Sequence, residues 1–207
     1  MIIFKIMITY YQMKNKRLLY IIPALGETTR SKNYREIIKS AKQSGLTIKP
    51  ITIDWDIDMT MPDYIEQADK QIPDNIPNDF ILGFSFGAYI ASILSIKKRA
   101  RGYIFCSISP YFKDDIRYIP DESKKYFGKK MMDSFKKYSF PKKTFGQAWF
   151  LVGEKDWDLA KSRASKAYAM WNKGKTLKII KGAGHELTDL NYTNAINSIT
   201  KRLRDFS

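Results

Sequence analysis

The pentapeptide at residues 83–87 (GFSFG) constrains the fold of this chain more than any other stretch. It lies between two apolar runs, residues 80–82 and 88–91, so the sequence predicts a tight turn that joins a strand to a helix. Glycine at both ends removes side chains that would collide in such a turn and permits strained backbone angles. We therefore expect the Ser85 hydroxyl to stand exposed above the end of a sheet, beside the N-terminus of a helix.

Two polar residues follow Ser85 in an order that suits a nucleophilic serine. The one histidine of the chain, His185, comes after a short apolar run at 177–180 and a glycine-rich loop. Asp156 comes after another apolar run, at 148–152, and a turn. Each of the three residues thus follows a predicted strand. A serine, a histidine and a carboxylate are the groups required for nucleophilic attack, proton transfer and orientation of the imidazole.

Other carboxylates are alternatives to Asp156. Glu154 and Asp158 flank it, and a shift of two residues would give either of them the same role. Asp156 has the best spacing after the predicted strand and turn, so it is the preferred candidate. Asp189 is expected instead in the cap of the last helix, because aspartate is favoured at helix N-termini.

The order Ser85, Asp156, His185 resembles that of the α/β-hydrolase superfamily, and the resemblance spans roughly residues 17 to 205. It implies that His185 takes the Ser85 proton as Ser85 attacks a carbonyl carbon, and then returns it to the leaving group. By the same resemblance, Asp156 holds the imidazole tautomer and stabilises the imidazolium, and water hydrolyses the acyl-enzyme formed on Ser85. The motifs identify the superfamily and leave the substrate family open.

The resemblance also implies an oxyanion hole made of two backbone N–H groups. One is the N–H of Phe86, the residue after the nucleophile. The second is expected from the loop after the strand-like run 18–22, where Leu25 is the preferred donor by position and Ala24 is the alternative. The chain departs from the family here, because many members have His-Gly just before that residue and this chain has Pro23-Ala24.

Alternating strand-like and helix-like runs predict an α/β fold with a mostly parallel central sheet, helices on both of its faces and little or no cap. The predicted strands are 18–22, 47–53, 80–82, 102–106, 148–152 and 177–180. The predicted helices are 33–44, 63–71, 87–98, 121–138, 158–172 and 189–205. No linker or repeat divides the chain, so we expect a single α/β-hydrolase domain over residues 1–207.

Residues 1–16 are interpreted either as an edge strand or as a disordered extension, and translation from Met13 is a further alternative. The apolar run at 1–8 is too short for a membrane span, is interrupted by Lys5 and lacks the cleavage site of a secretory signal. We therefore expect a cytoplasmic protein. The single cysteine, Cys106, excludes an intrachain disulfide and is expected in the core. The absence of Cys/His clusters from the sequence argues against a zinc site, and the chemistry implied by the resemblance requires neither a metal nor an organic cofactor.

The chain carries a formal net charge of +15, with basic residues concentrated at 97–143 and acidic residues at 51–80. A small cap-like excursion is expected at 107–145, between two predicted strands, where cap segments enter in the family that the chain resembles. The basic stretch is interpreted either as a surface that attracts an anionic substrate or an anionic surface, or as a lysine-rich face exposed to water. Nucleic-acid binding is disfavoured, because no recognition motif accompanies the charge.

The sequence predicts a serine hydrolase that acts on a small to medium carboxylic ester or thioester. One alternative is a non-catalytic binding protein on the same scaffold, because fold does not dictate function. The other is a basic interaction module over residues 97–143. The acyl group, the leaving group and the oligomeric state do not follow from the sequence.

Overall fold

The strands of this protein form one parallel sheet. The computed structural model describes residues 17–56, 58–109, 111–142, 144–172 and 174–203. Its six strands are β1 (Leu18–Ile22), β2 (Thr47–Pro50), β3 (Asn75–Phe84), β4 (Arg99–Cys106), β5 (Gln147–Gly153) and β6 (Lys175–Ile180). Within the described residues they lie in the order β2-β1-β3-β4-β5-β6, and every neighbouring pair is parallel. The strand or extension predicted at 1–16 lies outside the described residues.

Helices cover both faces of the sheet. They are α1 (Arg35–Gln43), α2 (Met61–Gln71), α3 (Phe86–Leu94), α4 (Asp121–Phe135), α5 (Asp158–Met170) and α6 (Leu190–Leu203). Short 3-10 helices occupy Lys32–Tyr34 and Lys113–Tyr118. Helices α1 and α6 pack on one face, and α2, α3 and α5 pack on the other. The predicted fold class is confirmed. No helix in the described part of the chain is both long and apolar enough to cross a membrane.

Successive residues of the central strands point to opposite faces, and both faces are buried. In β1, Leu19 and Ile21 pack with α1 and α6, whereas Tyr20 and Ile22 pack with the other helical layer. Burial on both faces explains why these strands are continuous apolar runs in the sequence. Cys106 of β4 lies in the same cluster as Leu19 and is fully buried, and burial raises the pKa of its thiol. Its predicted place in the core is confirmed.

Several predicted boundaries shift in the structure. Strand β3 begins at Asn75, whereas the predicted strand begins at 80. The added residues are mostly polar, and the pairing of β3 with β4 is irregular between Ile76 and Phe80. Strand β2 ends at Pro50, short of the predicted 53. Helix α3 ends four residues earlier than predicted, because the chain turns after Leu94. These differences lie at the ends of elements, where local pattern is weakest.

Residues 107–145 contain the second 3-10 helix and α4. Gly128 interrupts α4, because its φ of 68° and ψ of 168° are not helical. The start of the segment is held against α5 by a buried arginine, whose Nε lies 3.1 Å from Asp115 Oδ2 and whose Nη1 donates to the Ile108 carbonyl at 2.9 Å. This arginine, Arg163 of α5, therefore ties the start of the segment to a helix that packs on the sheet.

The basic stretch at 97–143 does not form one surface. Lys98, at the amino end of β4, is only 1% exposed. Its ammonium donates to the Asp69 carbonyl at 2.9 Å, to the Ile72 carbonyl at 2.5 Å and to Asp74 Oδ1 at 2.7 Å. The hydroxyl of Tyr103 donates to the Lys98 carbonyl. This amino-end cluster (Lys98, Asp69, Asp74 and Tyr103) pairs part of the basic stretch with the acidic stretch.

Replacing Lys98 with Met is expected to destabilise the fold by about 2 kcal/mol or more, because it leaves the carbonyls of Asp69 and Ile72 without their ammonium donor. Denaturant unfolding at pH 7 measures this loss. Lys97→Met is the matched control, and a much smaller loss is expected because the Lys97 side chain is 54% exposed.

The loss of stability caused by Lys98→Met should also depend on pH. Burial alone raises the pKa of Asp69, but hydrogen bonds and charge from Lys97 and Lys98 outweigh it and lower that pKa. A carboxyl whose pKa is lowered by folding stabilises the fold above its unfolded pKa of about 3.9, and this contribution disappears as the pH falls through the folded pKa. The difference between wild type and Lys98→Met should therefore shrink below pH 4. A constant difference would contradict this account.

Candidate active site

Ser85 lies between the carboxyl end of β3 and the start of α3. Its backbone has φ 54° and ψ −117°, angles that a residue with a side chain rarely adopts. The Ser85 N–H donates to the Cys106 carbonyl at 2.9 Å, and the Ser85 carbonyl accepts from the Tyr89 N–H at 3.1 Å. The strained turn is therefore held by both the neighbouring strand and the helix that it begins.

The two glycines of the pentapeptide are required by space. A Cβ at Gly87 would overlap the carbonyl oxygens of Ile22 and Pro23, at the end of β1. A Cβ at Gly83 would overlap the backbone of Gly87 itself. Helix α3 thus approaches β1 backbone to backbone. The same approach brings the loop after β1 next to Ser85.

Ser85, Asp156 and His185 meet at this end of the sheet. His185 Nε2 lies 3.1 Å from Ser85 Oγ, and His185 Nδ1 lies 3.0 Å and 3.1 Å from the two carboxylate oxygens of Asp156. The side chain of Asp156 is 1% exposed, whereas that of His185 is 34% exposed. One imidazole therefore links a buried carboxylate to a hydroxyl, which is the geometry in which histidine can accept the hydroxyl proton.

The alternative carboxylates lie elsewhere. Glu154 accepts a hydrogen bond from the Gly182 N–H at 2.9 Å. Asp158 faces solvent and pairs with a lysine one turn further along α5. Asp189 accepts two backbone N–H groups at the start of α6, so its predicted capping position is confirmed. The geometry favours Asp156 as the partner of the imidazole.

A second strained residue, Ser107, lies behind Asp156 and was not predicted from the sequence. It is fully buried, has a φ of 47°, and its Oγ lies 2.9 Å from the Tyr192 hydroxyl, which donates to the Leu151 carbonyl at 3.0 Å. Burial alone raises the pKa of Asp156. Hydrogen bonding and charge from His185, together with the Ser107 hydroxyl, outweigh this effect and lower the pKa. Asp156 is therefore held as a carboxylate.

Two aromatic rings contact the imidazole. The Phe84 ring lies 5.2 Å from the His185 ring between centroids, and the Trp157 ring lies 5.6 Å away at 61°. Phe84 precedes Ser85 and Trp157 follows Asp156, so the chain places each ring beside a candidate residue. Trp157 is 48% exposed and leaves the outer side of the imidazole open to solvent. The rings restrict the orientation of His185 without covering it.

The loop after β1 distinguishes the two alternative oxyanion donors. The Ala24 N–H already donates to the Tyr34 hydroxyl at 2.8 Å. The N–H groups of Leu25 and Phe86 have no acceptor among the described residues. The arrangement favours Leu25 over Ala24 as the free donor on this loop. No contact in the structure tests the role itself, which stays a prediction.

Aromatic side chains line the other side of Ser85. The Phe86 ring lies 6.3 Å from Trp55 and 5.7 Å from Phe127. Trp55 follows β2, and Phe127 comes from α4 in the segment 107–145. Both are only partly buried. Together with Leu25 they form an apolar, partly exposed surface beside Phe86.

The described ranges contain no group of three or more His, Cys, Asp or Glu side chains placed to hold a metal ion. Carboxylates do collect in a groove beside α2, but lysines line it as well. The charged residues of this groove are Asp54, Asp56, Asp58, Asp63, Glu66, Lys70 and Lys130. It lacks the ligand set of a cation site.

Solved structures with the same architecture are similar to this chain over almost its whole length. Alpha/beta hydrolase domain-containing protein 10 from mouse is 11% identical with a TM-score of 0.73, covering 92% of this chain and 90% of its own. Est1E from Butyrivibrio proteoclasticus, solved with ferulic acid bound, is 15% identical with a TM-score of 0.64, covering 93% and 88%. An esterase from Pyrococcus furiosus is 13% identical with a TM-score of 0.66, covering 93% and 82%.

The chain therefore has the α/β-hydrolase fold. At these identities the likeness concerns the fold alone. No protein-family model matches the sequence, and no curated protein matches it significantly.

Replacing Gly87 with Ala is expected to prevent the close packing of α3 on β1, because the added Cβ would overlap two carbonyl oxygens. We expect a loss of several kcal/mol of stability, or failure to fold. Gly184→Ala is the matched control, since a Cβ there has no neighbour within 4 Å and its φ is not positive. Thermal unfolding of both variants provides the measurement. A Gly87→Ala variant as stable as Gly184→Ala would refute the steric argument.

Proposed function

We propose that this protein is a serine hydrolase that cleaves a carboxylic ester or thioester through an acyl-enzyme on Ser85. The observation that carries the proposal is the linked geometry of three side chains, with Ser85 Oγ 3.1 Å from His185 Nε2 and Asp156 3.0 Å from His185 Nδ1. All three follow the carboxyl ends of parallel strands, where open α/β sheets bind ligands. The α/β-hydrolase fold supports the same conclusion.

The proposed reaction begins with His185 protonated on Nδ1 toward Asp156, so that Nε2 is free to accept a proton. Ser85 Oγ attacks the carbonyl carbon, its proton moves to Nε2, and the carbonyl π electrons move onto the carbonyl oxygen. That oxygen would be stabilised by the N–H groups of Phe86 and Leu25. When the carbonyl re-forms, the leaving group departs with the proton from His185. Water then repeats the sequence on the acyl-enzyme and releases the acid.

The apolar side of the cleft supports an acyl substrate. Trp55 and Phe127 are partly exposed and pack against the buried ring of Phe86, the residue after Ser85. Aromatic surface of this kind suits an apolar acyl chain better than a charged group. Of the similar structures, the Pyrococcus furiosus protein is an esterase by name, and Est1E holds ferulic acid. These names support an ester or thioester substrate without specifying its acyl or leaving group.

The first test is labelling of the purified protein with a fluorophosphonate probe. We expect the probe to label the wild type through Ser85, and we expect no labelling of Ser85→Ala or His185→Ala. Ser85→Ala should fold normally, because the substitution removes one exposed oxygen from a residue whose backbone contacts are unchanged. Circular dichroism and thermal unfolding control for folding.

Turnover of a panel of esters and thioesters of increasing chain length completes this test. Retained turnover in Ser85→Ala would disprove the assignment. A wild type that neither reacts with the probe nor hydrolyses any substrate would favour the alternative of a non-catalytic binding protein. Retention on heparin that falls with salt, without hydrolysis, would favour a basic interaction module.

A second test separates the three candidate carboxylates. Asp156→Asn removes the charge that fixes and stabilises the imidazolium while keeping the side-chain shape, so kcat is expected to fall by about a thousandfold or more. Asp158→Asn is the matched control, with unchanged kcat expected because that side chain is fully exposed. Glu154→Gln tests the other alternative. Steady-state kinetics on the best ester provides the measurement. A larger fall in kcat in Asp158→Asn or Glu154→Gln than in Asp156→Asn would assign the role to that carboxylate instead.

A further inference from the structure

The loop from Pro23 to Glu27 is held by side chains from outside it. The Ala24 N–H donates to the hydroxyl of Tyr34 at 2.8 Å, and Tyr34 is fully buried. Within the loop, the Glu27 N–H donates to the Ala24 carbonyl at 3.0 Å. The backbone N–H and the backbone carbonyl of Ala24 therefore both have hydrogen-bond partners. The next N–H along the chain, that of Leu25, has no acceptor among the described residues.

The Tyr34 hydroxyl is held in a polar setting within the core. The Glu27 carboxylate, which accepts a hydrogen bond from Asn33 Nδ2, lies close to it. Burial, together with the negative charge of Glu27, raises the pKa of Tyr34. The hydroxyl therefore stays protonated across the physiological range, and its oxygen accepts from the Ala24 N–H.

Trp55 ties the same loop to the apolar side of the cleft. Its Nε1–H donates to the Glu27 carbonyl at 2.9 Å. Its ring packs against Tyr64, 4.8 Å away between centroids, and edge-on to Phe86 at 6.3 Å. One side chain thus joins the loop after β1 to the residue that follows Ser85.

We propose that Tyr34 and Trp55 are positioning residues that fix the Leu25 N–H as the second oxyanion donor. Tyr34 occupies the Ala24 N–H and sets the direction of the next peptide, and Trp55 holds the far end of the loop beside Phe86. These two tertiary hydrogen bonds hold the loop that begins with Pro23-Ala24. The proposal rests on the proposed function and adds to it how the oxyanion hole is formed.

Tyr34→Phe tests the proposal, because it keeps the ring and removes only the hydroxyl that accepts from Ala24. We expect kcat for the best ester to fall about ten- to a hundredfold with little change in KM, since the loop donor acts on the charged intermediate. The Ki of a trifluoromethyl ketone, which forms an anionic hemiketal on Ser85, should rise by a similar factor. Trp55→Phe should also lower kcat and raise the Ki, by a smaller factor because one hydrogen bond at the loop end is lost. Its KM does not enter the test, because the Trp55 ring also lies on the apolar side of the cleft.

Tyr103→Phe is the matched control. Like Tyr34→Phe, it removes a buried tyrosine hydroxyl that makes a backbone hydrogen bond, but this hydroxyl donates to the Lys98 carbonyl at the amino end of the sheet. We expect it to lower thermal stability and leave kcat and Ki unchanged. Tyr34→Phe would then differ from the control in kinetics rather than in stability.

Unchanged kcat in both Tyr34→Phe and Trp55→Phe would overturn the proposal, as would a fall in kcat without a rise in Ki. If Tyr34→Phe does not fold, Trp55→Phe alone decides by the same two readouts. Failure of the proposed function is a separate result, because the wild type would then show neither turnover nor probe labelling. An active wild type with unaffected variants would refute only the positioning role.

Discussion

A close approach of backbone to backbone joins α3 to β1 and places Ser85 beside the loop after β1. Gly87 lies against the carbonyl oxygens of Ile22 and Pro23, where no side chain fits. This contact requires the strained φ of 54° at Ser85, which turns the chain sharply out of β3. It also sets the loop after β1 beside the turn, so the free Leu25 N–H and the Ser85 hydroxyl lie at one sheet end. The strained turn at Ser85 thereby brings the carboxyl ends of β1 and β3 into one site.

The central strands and the order of Ser85, Asp156 and His185 could be predicted because each depends on local pattern: continuous apolar runs, glycines and turns. Ser107 and Tyr34 could not, because nothing near them in sequence shows that they reach Asp156 or Ala24. The same limit applies to the ends of elements. Asn75 begins β3 in a polar stretch, and Leu190, the apolar first residue of α6, is 72% exposed. Long-range contacts decide these positions.

Some residues of the basic stretch pair with the acidic stretch in the folded protein. The acidic stretch 51–80 and the basic stretch 97–143 are separate in sequence, yet Lys98 pairs with Asp69 and Asp74. Lys130 of α4 also reaches the acidic groove beside α2. Part of the large positive charge therefore serves to join neighbouring elements. Attraction of an anionic substrate or surface would therefore depend on the other, exposed lysines of the basic stretch and not on the whole of it.

The two ends of the sheet differ in what their side chains do. The amino-end cluster around Lys98 ties β3, β4 and α2 together with buried hydrogen bonds, and none of its members approaches Ser85 or His185. The loops at the carboxyl ends carry the candidate site instead. Side chains that face the cleft are thereby separated from the buried hydrogen bonds at the amino end, although the backbone contact of Gly87 stabilises the site end as well. Such a division makes the chain a favourable starting point for directed evolution, because specificity can be diversified while the stability reserve at the far end is kept.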